Sequence, residues 1–481
     1  MYGKNSRKSF KILKLSYKDL LIFLIPCIIF LYYLYVYNPG IMTMDSYTQL
    51  HQIATGHFNN WHPFFHTFIE MLCIYVYPSP LSVSLFQITI FSSIWMITCK
   101  YFRSEDNNKT FILQIFFTLL ISLIPINAIY AITLWKDILY SYCMLFLCFL
   151  IKVMLDRNCK LDYKFVIGIS LIMAFMTQLR QNGFYVILLF LIILGIYLFI
   201  KNKEQKLFIS IPVMTIIFML LIASLNVAYD VEDAEHDAVF SKTSHILADY
   251  SLNIELEDSD RNKIYELLPE KDIKENYDIY LQDSISFIAN ETPFENDKGT
   301  YIKMVIDYSL KNPKHFIKYL FKSSAMVWDI TRDDDWKGKP YYDVNDKGGN
   351  NFFTKYNHTP ITAYENASNV NFGTDQFNQL DSFVDFARDN IILDSLFNSP
   401  AFYMYLAFII LAFLHILTKS KEYYMVYTPN MINIIIIFFS TPIQDNRYLY
   451  GNLLVCYLLV IILIYVLSEE FIKSKSKVSS R

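Results

Sequence analysis

Long apolar segments alternate with short polar loops along most of the chain. A helix needs about 20 consecutive apolar residues to cross a bilayer, and ten segments reach or approach this length. The pattern therefore predicts an all-α polytopic membrane protein. Its expected spans are residues 20–38, 81–99, 111–131, 138–155, 164–179, 184–200, 207–226, 401–418, 424–441 and 448–467. Because 164–179 and 184–200 are short and flank a polar hinge, a hairpin with a polar mouth is the alternative for them.

Charged residues make up 18% of the 481-residue chain, whereas a soluble protein carries about 25%. Residues 227–400 hold 32 acidic and 17 basic residues, and the rest holds 13 acidic and 25 basic. This composition excludes a soluble globular enzyme. It predicts a basic N-terminus at 1–19, a transmembrane core of about seven spans at 20–226, an acidic, mostly α domain at 227–400, three spans at 401–468 and a basic tail at 469–481.

Lysine and arginine are distributed unequally between the two sides that the expected spans define. Outside the acidic domain one side carries 22 of them, and the other carries three: Lys136, Arg180 and Arg447. Basic loops stay preferentially in the cytoplasm, so both termini are predicted to be cytoplasmic and residues 227–400 extracytoplasmic. The abundance of Ile, Phe, Tyr, Asn and Lys is typical of an AT-rich bacterial genome, and the predicted location is the bacterial plasma membrane.

The polar residues of the less basic side lie in four loops. The first loop, residues 39–80, contains Asp45 and His62, and its apolar residues recur at helical spacing. Gly56 can end one helix and Pro63 can open another, which predicts two short amphipathic helices on the membrane surface. The other loops are short, and each places one basic residue beside a carboxylate or an amide: WKDI at 135–138, LRQNGF at 179–184 and PIQDNRYLYG at 442–451.

The candidate residues of the first loop also have structural explanations. Asp45 can cap a helix, and Ser46 with Gln49 fits a capping box. A single His before a proline, such as His62, is more often an interface residue than a catalyst.

The basic candidates have structural explanations as well. Lys136 and Asp137 can form a neutral pair at a helix start, and Arg180 and Arg447 can extend to lipid headgroups. A functional role is favoured because these three basic residues, Lys136, Arg180 and Arg447, all lie on the same side of the membrane, and each belongs to a short polar motif. We therefore expect one outward-facing site, capped by residues 227–400.

Three cationic groups at the membrane boundary suit the phosphate of a lipid-linked substrate. Arginine offers a fork for phosphate oxygens and lysine a point charge, so Lys136, Arg180 and Arg447 are predicted to bind a donor phosphate. A nearby carboxylate on a surface helix suits a general base for an acceptor hydroxyl. Together these groups could catalyse glycosyl transfer from a polyprenyl-phosphate sugar.

Four short motifs, in this order, carry a family resemblance: DSYTQ…NWHPFFHT, LWKD, LRQNG and DNRY. They resemble the motifs of a large family of bacterial multipass membrane proteins with a GT-C-like organisation. The acid in the first loop, the surface helices and the late extracytoplasmic domain resemble the GT-C class of membrane glycosyltransferases. The resemblance covers residues 39–183 and 442–452 well and the acidic domain poorly. It implies a GT-C-like fold, a polyprenyl-phosphate sugar donor and an inverting displacement outside the cell.

By position, Asp45 matches the first-loop acid that serves as base in the GT-C class. The usual acidic pair is here a single Asp followed by Ser46, so Asp137 is a second candidate and base duty can be shared; His62 is a third. The residues that accompany them in the same motifs are predicted to contact the sugar or the acceptor: Gln49, Trp61, Asn182, Asp445 and Tyr448.

The predicted function is transfer of a sugar from a polyprenyl-phosphate donor to a cell-envelope glycan, lipid or protein. A transporter or flippase of lipid-linked sugars and a non-catalytic envelope assembly protein are the alternatives. Transport sites lie near the mid-membrane, whereas the charges here cluster at one face. The sequence has no Cys/His metal spacing and no certain cofactor, and a divalent cation is left open. The acidity of 227–400 argues against a nucleic-acid partner, and membrane lipid is expected as one.

Overall fold

The computed structural model describes residues 15–103, 108–201, 205–233, 238–330, 375–441 and 443–479. This part is about 81% helical and has isolated β-bridges but no strand. Eight of its helices are long and apolar enough to cross a membrane. The chain is thus an all-α polytopic membrane protein, whereas the count of ten spans stays a prediction. The expected span at 111–131 is a pair of helices bent by 72°, and that at 164–179 is a helix of 17 residues.

The described residues before the acidic domain form ten helices. They are α1 (Tyr17–Val36), α2 (Met44–Thr55), α3 (Phe64–Val76), α4 (Leu81–Tyr101), α5 (Asn108–Leu123), α6 (Pro125–Ala131), α7 (Lys136–Asp156), α8 (Tyr163–Leu179), α9 (Gln181–Ile200) and α10 (Gln205–Ala228). The two short helices predicted in the first loop are present as α2 and α3. Gly56 ends α2 with φ +73°, a left-handed conformation that glycine adopts without steric cost, and α3 begins directly after Pro63.

One end of the helix bundle is basic. Asp19, at the start of α1, is buried there with Lys100 Nζ at 3.1 Å and Arg103 Nη1 at 2.7 Å, both from the region where α4 ends. Successive long helices run in opposite directions, so α4, α7 and α9 begin at the other end of the bundle. The three basic residues that break the charge rule belong to that other end.

The acidic domain has a core of its own between Phe240 and Tyr319, which includes Leu247 and Tyr301. Of the later residues of the domain, Ala325–Val327, Leu380 and Val384 belong instead to the core of the helix bundle. The described helices of the domain are α11 (Ala238–Asn253), α12 (Asp258–Leu267), α13 (Glu270–Asn276), α14 (Asp283–Ser286), α15 (Thr292–Asn296), α16 (Lys298–Lys311), α17 (Pro313–Ser323), α18 (Ala325–Trp328), α19 (Asp375–Asp389) and α20 (Ile391–Asn398). Ser324 leaves the helical conformation, with φ −123° and ψ 24°, and separates α17 from α18.

The C-terminal spans are α21 (Pro400–Thr418), α22 (Glu422–Ser440) and α23 (Tyr450–Ser479), and a 3₁₀ turn at Asn446–Leu449 precedes α23. Helix α7 is central: it packs against α8, α22 and α23, and 83% of the residues in its most apolar stretch are buried. The start of α7 is therefore surrounded by protein.

The acidic domain rests on the end of the bundle where α7 begins. Gln444, in the loop before α23, donates from Nε2 to the Ser323 carbonyl at 2.6 Å and accepts the Met326 N–H at 2.9 Å. The ring of Trp61, in the first loop, lies 6.2 Å from that of Phe287. These contacts place the domain over the polar loops.

Candidate active site

A short parallel bridge fixes the first loop against the start of α7. Ile41 accepts the Leu134 N–H at 3.1 Å. The Ser46 hydroxyl donates to the Leu134 carbonyl at 2.7 Å, and the Trp135 indole N–H donates to the Thr43 hydroxyl at 2.6 Å. The first loop and the LWKD motif are therefore held together as one unit.

Asp45 lies in the first turn of α2 and does not cap it. The expectation of a capping box from Ser46 and Gln49 is wrong, because the chain enters the helix at Thr43, which has an extended backbone. The Thr43 N–H donates to Ser46 Oγ at 3.1 Å. A carboxylate in the first turn is favoured by the helix dipole, and the Asp45 side chain is turned toward Arg447.

Arg447 is the centre of the polar cluster. Its Nη1 lies 2.8 Å from Oδ2 of Asp45, and its Nε lies 2.6 Å from Oδ2 of Asp445 and 3.8 Å from Oδ2 of Asp137. Asp445 Oδ1 also accepts the backbone N–H of Arg447 at 2.9 Å. One guanidinium thus joins three carboxylates from the first loop, the LWKD motif and the DNRY motif.

Arg180 pairs with the other oxygen of Asp137, with Nε 3.0 Å from Oδ1. Its Nη1 donates to the Tyr448 carbonyl at 3.2 Å. The Tyr448 ring centre lies 4.6 Å from the guanidinium carbon of Arg180 and 5.2 Å from that of Arg447, and the Trp135 ring lies 4.6 Å from Arg447. Rings at this distance attract guanidinium groups, so Tyr448 and Trp135 help to orient both arginines.

Lys136 reaches the same cluster through His62. The Lys136 ammonium donates to His62 Nδ1 at 2.7 Å, and His62 Nε2 lies 3.9 Å from Oδ1 of Asp45. Burial, and then the Lys136 charge, lowers the pKa of His62 to about 3. His62 is therefore neutral at physiological pH, with its proton on Nε2, the nitrogen on the Asp45 side.

Exposure separates the three carboxylates. The Asp45 side chain is 25% exposed, against 1% for Asp137 and 0% for Asp445. Burial opposes ionisation of Asp45, but the Arg447 and Lys136 charges outweigh it and hold the pKa of this carboxyl well below its usual range. Asp45 is therefore an ionised carboxylate that a substrate can reach, whereas the other two are enclosed.

Two residues with predicted sugar contacts serve helix packing. Gln49 is 1% exposed, and its amide donates to the Thr67 hydroxyl at 2.8 Å and lies 3.0 Å from His66 Nδ1. Asn182 donates to Ser440 Oγ at 3.3 Å, which ties α9 to the end of α22. Gln49 thus has almost no surface to offer a sugar, because it faces α3.

Asp283, at the start of α14 in the acidic domain, belongs to none of the four sequence motifs. Burial raises the pKa of Asp283 to about 6; the Arg447 charge opposes this rise and the Asp45 charge adds to it. Asp283 therefore lies within electrostatic range of the cluster. No local motif distinguishes it from the other acidic residues of the domain. Trp61, predicted to contact sugar, is 38% exposed in the loop that faces this domain.

Metal ligation does not fit the donor set. Within the described ranges no group of three or more His, Cys, Asp and Glu side chains is placed to hold a metal ion. Asp45, Asp137 and Asp445 all face arginine side chains instead. The arrangement suits an anion bound by guanidinium groups.

The chain is thus an all-α multi-pass membrane protein with three basic and three acidic side chains gathered near one end of its bundle. No family model, curated protein or solved structure matches the chain. The resemblance to the GT-C class stays a prediction from the sequence.

Proposed function

We propose that the protein is a GT-C-like membrane glycosyltransferase. It transfers a sugar from a polyprenyl-phosphate donor, with inversion, to a glycan, lipid or protein of the bacterial cell envelope. The observation that carries the proposal is a partly exposed carboxylate, Asp45, 2.8 Å from Arg447, with Lys136 and Arg180 in the same cluster. A candidate base and a group of cations that suits phosphate lie side by side.

Donor binding exchanges one partner of Arg447 for another. A phosphate oxygen and the Asp45 carboxylate compete for the same guanidinium. The resting cluster contains three basic and three acidic side chains, so an added phosphate leaves one more negative than positive group. Excess negative charge raises the proton affinity of a carboxylate, and Asp45 becomes a better base when the donor is bound.

The reaction is a single displacement. The acceptor hydroxyl attacks the anomeric carbon from the face opposite the phosphate, and its proton passes to Asp45. The bond from the anomeric carbon to the phosphate oxygen breaks, and polyprenyl phosphate leaves with the electron pair. Arg447, Arg180 and Lys136 stabilise the charge that develops on the departing phosphate.

The geometry favours Asp45 over Asp137 and His62 as the base. Asp137 is enclosed between Arg180 and Arg447, which it holds in position. His62 uses its Nδ1 lone pair to accept from Lys136 and carries its proton on Nε2, so it has no free lone pair to take a proton from a substrate. We therefore assign proton transfer to Asp45, and positioning to the other two.

We further propose that this end of the bundle faces the outside of the cell. The charge distribution supports this orientation: 22 basic residues of the short segments belong to the opposite side, against three here. Both termini are then cytoplasmic, and the acidic domain covers the site from the extracytoplasmic side.

The test uses the purified full-length protein in lipid nanodiscs. It is incubated with a panel of polyprenyl-phosphate sugars and an envelope extract as acceptor, and release of polyprenyl phosphate is measured. The proposal expects release with at least one donor and its loss in Asp45→Asn. Asp258→Asn, at a side chain that is 97% exposed in the acidic domain, is the matched control. Donor movement across proteoliposomes without release would identify a flippase instead.

A further inference from the structure

Helix α17 is basic, although the domain around it is acidic. It holds Lys314, Lys318 and Lys322 and no acidic residue. The lysines are exposed, and Ile317 and Phe321 are exposed by 54% and 47%. Residues three and four apart share one face of a helix, so these five side chains form one exposed lysine and apolar stripe.

The opposite face of α17 already has a partner. Phe316, Tyr319 and Leu320 pack into the core of the acidic domain. Among the described residues, no acidic side chain pairs with the three lysines of the stripe. The stripe is therefore available to a ligand outside the protein.

The stripe lies where membrane spans end. The ring of Phe321 is 5.3 Å from that of Phe438, in the last turn of α22, and the next residue, Phe439, is 56% exposed. The Trp328 indole donates to the Phe321 carbonyl at 2.8 Å, and the Tyr405 hydroxyl, near the start of α21, donates to the Trp328 carbonyl at 2.9 Å. Such aromatic residues are typical of the membrane–water interface.

We propose that α17 lies in the headgroup layer and binds anionic phospholipid headgroups of the bilayer. Ile317 and Phe321 extend the lipid-facing surface of α22 into the acyl boundary, and the three lysines contact lipid phosphates. Helices of this kind bind through buried apolar area and attraction to anionic lipid. An acidic domain is repelled by an anionic membrane surface, and the stripe offsets this repulsion. The inference requires only that α22 spans the membrane, so it stands apart from the proposed enzymatic function.

The test measures the depth of α17 in the full-length protein. A fluorophore is attached at Ile317→Cys in a background with Cys73→Ser and Cys143→Ala, in nanodiscs of phosphatidylcholine with or without phosphatidylglycerol. The label is expected to be quenched by lipid-borne quenchers and protected from iodide, most strongly in anionic discs. Each lysine contributes about fivefold to binding of an anionic surface. Changing all three lysines of the stripe to Gln should therefore lower the ratio of membrane-bound to unbound α17 on the order of 100-fold.

Control variants distinguish the loss of positive charge in the stripe from a local disturbance of the fold. A label at Lys271→Cys, a side chain that is 79% exposed on α13, should stay accessible to iodide. Lys→Gln at Lys271, Lys274 and Lys298 should leave the Ile317 label docked, and Lys→Arg at the three stripe positions should preserve docking. A label at Ile317 that iodide reaches equally in both lipids overturns the proposal, and so does docking that is indifferent to the stripe lysines.

Discussion

The Nη1 atom of Arg447 lies 2.8 Å from Oδ2 of Asp45, although 402 residues separate the two in the chain. The pair joins the turn before the last helix to the first loop. Because a phosphate competes with Asp45 for this guanidinium, changes at the two residues should act differently. A change at Asp45 should affect turnover, and a change at the arginines should affect donor binding.

Asp45→Asn should lower turnover by about 10²–10⁴-fold, the usual contribution of a general base. Affinity for polyprenyl phosphate should be kept or increased, because the amide nearly preserves shape and Arg447 loses an ionic competitor. Single-turnover kinetics with a competent donor, together with direct binding of polyprenyl phosphate, measure the two effects separately.

Asp258→Asn should change neither quantity, since this side chain is exposed in the acidic domain. Wild-type turnover in Asp45→Asn would remove Asp45 from proton transfer. The base would then be sought at Asp137 or His62.

Arg180→Ala should weaken binding of polyprenyl phosphate by roughly 10- to 100-fold, the range for losing a charge-assisted hydrogen bond. Asp137 still has Arg447 as a partner, which lies 3.8 Å away in the wild-type structure, so the fold should survive.

Arg447→Ala would leave the buried Asp445 without its ionic partner, which should destabilise the fold by about 3–5 kcal/mol. Arg447→Lys keeps the positive charge and is therefore the variant to compare with Arg180→Ala. Titration of each variant with polyprenyl phosphate is the measurement, and wild-type affinity in both would exclude phosphate binding at the cluster.

The helices could be located from the sequence because the bilayer demands long apolar segments. Gly56 and Pro63 likewise marked the end of α2 and the start of α3. The bend between α5 and α6 was missed because no charged residue interrupts residues 111–131, and hydropathy carries no information on the direction of a helix axis. Pro125 begins α6 after the break; proline lacks the N–H that would continue the preceding helix.

The basic residues of the candidate site could be predicted because they violate a global rule, and its acidic residues because they lie in the same set of short motifs. Lys136, Arg180 and Arg447 stood out because they broke the charge distribution. The structure brings Arg180 and Arg447 to Asp137, and Lys136 to His62, whose other ring nitrogen lies 3.9 Å from Asp45. The ring of Trp135 under Arg447 and the approach of Asp283 have no local signature. Such contacts depend on how distant segments pack, which one sequence does not encode in any short pattern.

Gly40 should be the least replaceable glycine of the first loop. Its φ is +130°, and a Cβ there would lie 2.5 Å from Ser84 Oγ and 2.9 Å from the Ile132 carbonyl oxygen. Gly40→Ala should therefore cost roughly 3 kcal/mol or more through backbone strain and overpacking. Gly56→Ala is the matched control: its φ is +73°, but nothing lies near the added Cβ, so about 1 kcal/mol is expected. Thermal unfolding in detergent measures both, and equal losses would contradict the steric argument.

Asp283→Asn tests the burial of this carboxyl through the pH dependence of stability. Burial raises the pKa of Asp283 from 3.8 to about 6, so the folded state binds the proton more tightly than the unfolded state. The free energy of unfolding of the wild-type protein therefore falls as the pH rises from about 4 to about 6 and Asp283 ionises. The variant cannot ionise at this position, so its stability should not fall for this reason. The variant should unfold at a higher temperature than wild type at neutral pH and at the same temperature in acid. A constant difference across this range would contradict the pKa shift.

The same charge should act on donor binding. A sugar phosphodiester keeps one negative charge throughout this range, and ionised Asp283 adds repulsion within electrostatic range of Arg447. Wild-type affinity for donor should therefore fall as the pH rises through about 6, and Asp283→Asn should remove that step. The affinity ratio of variant to wild type should approach one in acid and reach on the order of tenfold at neutral pH, which corresponds to about 1.4 kcal/mol. Groups common to both proteins, Asp445 among them, cancel in this ratio. A ratio of one at every pH would mean that bound phosphate lies beyond the reach of Asp283, and that the acidic domain does not act on the donor through this charge.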